Sequence, residues 1–140
     1  MALKPGGGPW GAISDERLKR DIHAYEDGLE AVLEMDPVWF KYVEELDQDG
    51  ASYVGVLAQD IQDIAPYMVD EIDVDVPAEA GEPYLGLDAT ALPYMLVNAV
   101  QEQQQIIDSQ QRAIEEQREL TVELREELHR LTERLEALER

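Results

Sequence analysis

The C-terminal part of the chain carries a seven-residue repeat of apolar and polar positions that never slips. Counted from Val100, its a positions are Val100, Ile107, Ile114, Thr121, Leu128 and Leu135, and its d positions are Gln103, Gln110, Gln117, Leu124, Leu131 and Leu138. Such a repeat is typical of a coiled coil. A helix from about residue 91 to residue 140 would reach roughly 75 Å, so the sequence predicts a projecting stalk. The alternative is a single exposed helix that its glutamates keep in solution.

Apolar g positions favour a bundle of more than two helices. Where position d is glutamine, position g is Ile106, Ala113 or Leu120, which makes the apolar stripe wider than an a/d seam. The g-to-e pair Arg134 and Glu139 is attractive in a parallel alignment. We therefore predict a parallel homotrimer in which glutamine layers fix the register. The residues predicted to hold it are Val100, Ile107, Ile114, Leu124, Leu128, Leu131, Leu135 and Leu138.

Upstream of the repeat, short helical and strand-like patterns alternate. The predicted elements are a helix from Ile22 to Leu33 ending before Pro37, a hairpin of segments 38–43 and 52–57, a short helix over 59–64 stopped by Pro66, and strands at 67–76 and 84–87. The predicted fold class is α+β. It combines a small antiparallel sheet and short helices with a long C-terminal helix that forms a parallel, trimeric coiled coil.

Composition shifts divide the chain into three parts. Residues 1–13 hold three successive glycines, two prolines and Trp10, and we interpret them as a linker or the end of an upstream domain. Residues 14–93 form the predicted α+β domain, and residues 94–140 form the predicted stalk. We expect the natural protein to extend further toward the N-terminus.

The charge balance excludes several functions. The formal net charge is −21, and residues 23–93 hold 18 acidic residues against 1 basic residue. Nucleic acid and anionic membranes are poor partners for such a surface, because phosphates are bound by Lys and Arg. No apolar run approaches the roughly 20 residues that span a bilayer, so we expect a soluble protein.

Metal and thiol chemistry find no support in the sequence. The chain has no cysteine and two isolated histidines, which excludes disulfides, zinc fingers and a thiol nucleophile. The acidic segment 47–50 lacks the loop length and the closing glutamate of a calcium-binding EF-hand. We therefore expect neither a metal nor a cofactor.

Ser14 and Lys19 are the one place where a nucleophile and a possible base lie close together in the sequence. A spacing of five puts two side chains about 140° apart on a regular helix, so they meet only if the segment bends or is extended. Taken alone, the pair is more typical of a helix or turn cap beside surface charges.

Three spaced motifs change this interpretation. They are Ser14-Asp15-x-Arg17-Leu18-Lys19-x-Asp21-Ile22, Gly55-Val-Leu-Ala-Gln59-Asp60 followed by Pro66, and Ala99-Val-Gln-Glu102 at the start of the heptads. This order resembles the intramolecular chaperone auto-processing domain at the C-terminus of phage endosialidases, tailspikes and tail fibres. The resemblance covers nearly the whole chain. Asp60 stands where glutamate is commoner in that family.

The resemblance implies a chaperone that cuts itself free. It would hold three chains together while an upstream fibre or tailspike domain of the same chain folds, and then cleave the Ile13–Ser14 bond. Ser14 and Lys19 would form the catalytic dyad of a single-turnover serine endopeptidase. Because an ammonium cannot accept a proton, Lys19 would have to be desolvated or placed near Arg17 or Arg20. The implied location is the host cytoplasm during virion assembly, with the upstream part on the virion tail or cell surface.

Two other functions remain as alternatives. The chain could be a trimerisation and folding module that stays attached and never cuts. A glycosidase would have the carboxylates it needs, but nothing in the sequence places two of them across a substrate.

Overall fold

The computed structural model of the chain describes residues 14–47, 49–74, 76 and 83–139. The predicted linker 1–13, including Ile13 of the predicted cleavage site, lies outside the described residues, as does most of the loop at 77–83. Two compact units divide the chain, Met1–Val100 and Gln101–Arg140.

The first unit is built from short elements. In chain order, the elements are a 3-10 turn Glu16–Leu18, helix α1 Leu29–Glu34, strand β1 Val38–Phe40, strand β2 Tyr53–Gly55, helix α2 Ala58–Ile64, a 3-10 turn Pro66–Met68, strand β3 Val69–Ile72, strand β4 Tyr84–Leu87, a 3-10 turn Ala89–Ala91 and helix α3 Leu92–Leu138. The α+β class is confirmed, and so are the short helix before Pro66 and the long C-terminal helix.

The described strands form two sheets of two antiparallel strands each, where the sequence predicted one small sheet. In the first sheet β1 pairs with β2, with Trp39 opposite Val54, which confirms the predicted hairpin with shorter strands. In the second, β3 pairs with β4 from Val69–Leu87 to Ile72–Tyr84. Each pair is short, so neither sheet offers a face broad enough to cover a core by itself.

The helix predicted from Ile22 begins only at Leu29. Gly28 takes a backbone conformation far from helical, with φ −155° and ψ −124°. In a longer helix the carbonyl of Tyr25 would accept a hydrogen bond from the backbone of Leu29. It accepts one instead from the side chain of Asn98 on α3, at 2.8 Å. Tertiary contact therefore overrides the helical spacing of the apolar residues.

The core of the first unit is small. Among the described residues, the buried hydrophobic side chains are Ile61, Ala65, Met68, Met95 and Ala99. They come from α2, the turn after it and the first turns of α3, and partly buried residues of α1 and β3, together with Val56 just after β2, pack at the edges of this core. Many large apolar side chains elsewhere in the first unit remain exposed, Trp39 at 76% and Leu33 at 74% among them.

Helix α3 has 47 residues, which corresponds to about 70 Å. Its charged side chains pair along the helix, as Arg130 does with Glu126 at 3.7 Å. The predicted seam is solvent-exposed in the single chain, with Leu128 at 64% and Leu131 at 47%. The trimeric state stays a prediction. Within the described residues, no helix is both long and apolar enough to cross a membrane.

Candidate functional site

A single 3-10 turn shapes the segment around Ser14. Asp15 precedes the turn and caps it, because its Oδ1 accepts a hydrogen bond from the backbone N–H of Arg17 at 2.9 Å. Lys19 follows the turn in an extended conformation, with φ −109° and ψ 154°. The segment is therefore bent, and the geometry of a regular helix does not apply to it.

Ser14 and Lys19 lie side by side in the structure. Lys19 Nζ donates a hydrogen bond to Ser14 Oγ at 2.9 Å. The turn followed by an extended residue brings the two side chains together across a spacing of five. The contact forms within one chain, so no second chain is needed to create it.

The Arg17 side chain forms a salt bridge with Asp15. The contact is bidentate: Arg17 Nη2 lies 2.6 Å from Asp15 Oδ2, and Arg17 Nε lies 3.0 Å from Asp15 Oδ1. The hydrogen bonds from Arg17 lower the pKa of the Asp15 carboxyl, and the same contact raises the pKa of Arg17. The Asp15 carboxylate thus largely matches the positive charge of Arg17.

The whole segment from Ser14 to Glu26 is exposed to solvent in the single chain. Even its apolar side chains are open, with Leu18 at 70% and Ile22 at 64%. The desolvation that a basic Lys19 requires is therefore not provided by this chain alone. In the observed geometry the amine of Lys19 donates to Ser14 Oγ, whereas a general base would accept the hydroxyl proton.

Asp21 bends the chain directly after this pair. Its φ of 52° lies in the left-handed region, which aspartate tolerates better than most residues. The carbonyl oxygen of Asp21 accepts a hydrogen bond from His23 Nδ1 at 2.8 Å, which supports the bend. Asp21 of the first motif thus has a backbone role.

The second motif is explained by packing. A Cβ on Gly55 would lie 3.1 Å from Cε1 of the Phe40 ring on the neighbouring strand, so the position favours glycine. Asp60 is exposed in the first turn of α2, where a carboxylate suits the positive end of a helix. These residues join β2 to α2.

A polar cluster beyond the motifs was not predicted from the sequence. The hydroxyl of Tyr67 donates to Asp27 Oδ2 and lies 2.5 Å from the hydroxyl of Tyr25. Since Tyr67 has one proton to donate, Tyr25 is the donor between the two hydroxyls. Burial raises the pKa of Tyr67, and its hydrogen bonds to Asp27 and Tyr25 raise it further. The partners are about forty positions apart in the chain, so no local sequence pattern predicts the cluster.

No group of three metal-ligating side chains occurs among the residues that the structure describes. An open groove of about 670 Å³ runs beside the polar cluster and is lined by residues 23–27 together with Tyr67 and Ala91. Among its lining residues, Tyr25, Tyr67 and Asp27 already hydrogen-bond to one another.

Comparison with known families agrees with the motifs. Residues 14–70 match the profile of the Peptidase_S74 family, described as chaperone of endosialidase. This match confirms the resemblance over residues 14–70 and supports an intramolecular chaperone domain like that of phage endosialidases, with a chaperone role. The match begins at Ser14 and includes Lys19 and the Gly55–Asp60 motif, whereas Ala99–Glu102 lies beyond it. No curated protein matches the chain.

Proposed function

We propose that the chain is a C-terminal intramolecular chaperone that associates as a homotrimer, assembles an upstream fibre or tailspike domain, and then cuts itself free at Ile13–Ser14. The observation that carries the proposal is the 2.9 Å contact between Lys19 Nζ and Ser14 Oγ at the first position of the family match. Assembly would take place in the host cytoplasm, and the upstream part would end on the virion tail or cell surface.

Self-association is supported by the small number of apolar side chains that a single chain buries. The five buried hydrophobic residues among those the structure describes are a small core for a unit of this length, and the exposed apolar side chains include Trp39 and Val54, which face each other across β1 and β2. The apolar positions of α3 are likewise open. Association of three chains would cover both surfaces.

The cleavage chemistry can be written with the residues present. Neutral Lys19 takes the hydroxyl proton of Ser14 as Oγ attacks the Ile13 carbonyl carbon. The C–N bond of the Ile13–Ser14 peptide breaks, and the proton passes to the departing Ser14 amine. The resulting ester links the Ile13 acyl group to Ser14 Oγ. One water molecule then opens the ester, leaving a carboxylate at Ile13, the free hydroxyl of Ser14 and a new amino terminus there.

A single chain does not bury the amine of Lys19 away from water. The Ser14–Lys19 contact already exists, but both side chains are exposed. Burial against neighbouring chains would disfavour the charged amine and free it to act as a base. In this proposal, assembly therefore activates a pair that is already in place.

Intact-mass analysis of the purified chain tests the proposal. The parent should lose its first thirteen residues, whereas Ser14→Ala and Lys19→Ala should stay whole. Lys19→Arg is the sharpest variant, because arginine keeps the charge and the donor but cannot be deprotonated. Glu16→Ala is the matched control in the same exposed turn and should cut normally. A Lys19→Arg protein that cuts at the parental rate would refute the dyad.

The pH dependence adds an independent check. Since Lys19 must lose its proton to act as a base, the rate should rise toward alkaline pH. A rate that stays flat between about pH 6 and pH 10 is incompatible with an amine base. If the assembled parent stays whole at every pH, the chain is the alternative, a trimerisation and folding module that remains attached.

A further inference from the structure

The segment that carries Ser14 and Lys19 is joined to the rest of its unit through the backbone just downstream. The described polar contacts of residues 14–23 stay within that segment: Ser14 with Lys19, Asp15 with Arg17, and Asp21 with His23. The first long-range polar contacts along the chain occur at residues 25–27. The contacts of residues 25–27 therefore determine where the turn that holds Ser14 and Lys19 lies on the unit.

Asn98 makes two of these contacts with one side chain. Its Nδ2 donates to the carbonyl oxygen of Tyr25 at 2.8 Å and to that of Asp27 at 3.0 Å. Both protons of the amide are thus used. Asn98 is half-buried on α3 beside the buried Met95 and Ala99, so its position is fixed by the core.

We propose that Asn98 is a positioning residue for self-cleavage, which ties the segment leading out of the Ser14–Lys19 turn to α3. The inference rests on the proposed function and deepens it. Val100, where the heptads begin, lies two residues beyond Asn98 on the same helix. The helix that associates therefore also holds the reactive segment. A displacement of about 1 Å in a reacting group can cost about a hundredfold in rate, so this attachment is important for cleavage.

The polar cluster supports the same attachment from a second side. Tyr67, in the turn after α2, donates to the Asp27 carboxylate and accepts from Tyr25. The backbone of residues 25–27 is thus held by α3 through its carbonyls, while its side chains are held by the turn after α2. Two independent elements fix one short stretch of chain.

Asn98→Asp is the variant that tests the role of the amide. It keeps the size of the side chain but replaces both donors with a carboxylate that faces two carbonyl oxygens. We expect the variant to assemble like the parent and to cut at least about tenfold more slowly. Gln101→Glu makes the same change of amide to carboxylate on an exposed position of α3 and should cut at the parental rate.

Hydrogen exchange separates positioning from general destabilisation. In a Ser14→Ala background, Asn98→Asp should speed amide exchange in peptides from residues 15–27 and leave α2 and β3 unchanged. Faster exchange throughout the first unit would mean a merely structural role and would overturn the proposal. An Asn98→Asp protein that cuts as fast as the parent would overturn it too, while leaving the proposed function intact.

Two further outcomes are decisive. If Asn98→Asp does not assemble, Asn98→Ala removes both donors without adding charge and takes its place. Failure of both variants to assemble would overturn the inference, because Asn98 would then be needed for folding instead of positioning. If the parent itself never cuts, the proposed function fails and the inference falls with it.

Discussion

Asp21, which is in the left-handed conformation, bends the chain directly after the turn that holds Ser14 and Lys19. At φ 52° a β-branched residue is strained by about 1–2 kcal/mol, whereas glycine is not. Because Asp21 is exposed, a substitution there should act on the local bend and leave the core unchanged.

We therefore expect Asp21→Val to slow self-cleavage severalfold and Asp21→Gly to keep the parental rate. Initial rates from intact-mass time courses, together with melting temperatures that stay within a few degrees of the parent, provide the measurement. Equal slowing by valine and glycine would show that the carboxylate matters and the backbone conformation does not.

The pairing of Ser14 with Lys19 could be predicted at this scale, but only through the motif. Sequence spacing alone allowed Ser14 and Lys19 to meet only if the segment bends or is extended, and it could not predict the 3-10 turn followed by an extended Lys19 that brings them together. The cluster around Tyr67 was beyond prediction, since its partners meet only after the chain has folded.

Among the elements, those with a strong local signal were predicted correctly. The β1–β2 hairpin follows from two strand-like segments around a turn, and α3 follows from an unbroken heptad. Helix α1 was predicted to be too long, because the helical spacing of apolar residues continues across Gly28. In the structure Asn98 binds the backbone before Gly28 and the helix begins only at Leu29. One sheet was expected where the structure has two, since strand segments do not reveal which strands pair.

The β3–β4 pair provides a test of packing between elements. A Cβ on Gly86 would lie 2.7 Å from Cγ2 of Ile72 on the opposite strand, so the Ile72 side chain or one of the two strands would have to shift. Gly86→Ala should lower the free energy of unfolding by about 1–3 kcal/mol.

Chemical denaturation of the cleavage-deficient Ser14→Ala protein measures this effect. Replacing Ile72 by alanine in the same chain removes the clashing methyl, so the double variant should lose less stability than the two single losses added together. Strictly additive losses would contradict the proposed clash.

At the scale of the whole molecule, the proposed trimer would form between very acidic chains. The net charge of −21 opposes the approach of like chains, so the apolar seam of α3 and the exposed faces of the first unit would have to supply the association. Sedimentation equilibrium should show a trimer, and a monomer or a stable dimer at micromolar concentrations would contradict this expectation.

The most direct test of the central claim is whether cleavage depends on assembly. Leu124→Asp with Leu131→Asp places two charges in adjacent d layers, which is costly enough to prevent association. Val122→Asp with His129→Asp adds the same charges with the same spacing at outward b positions and serves as the control. Intact mass should show a monomeric seam variant that keeps its first thirteen residues and a trimeric control that loses them. A monomeric seam variant cut as fast as the parent would show that the active site is complete within one chain, contrary to this account.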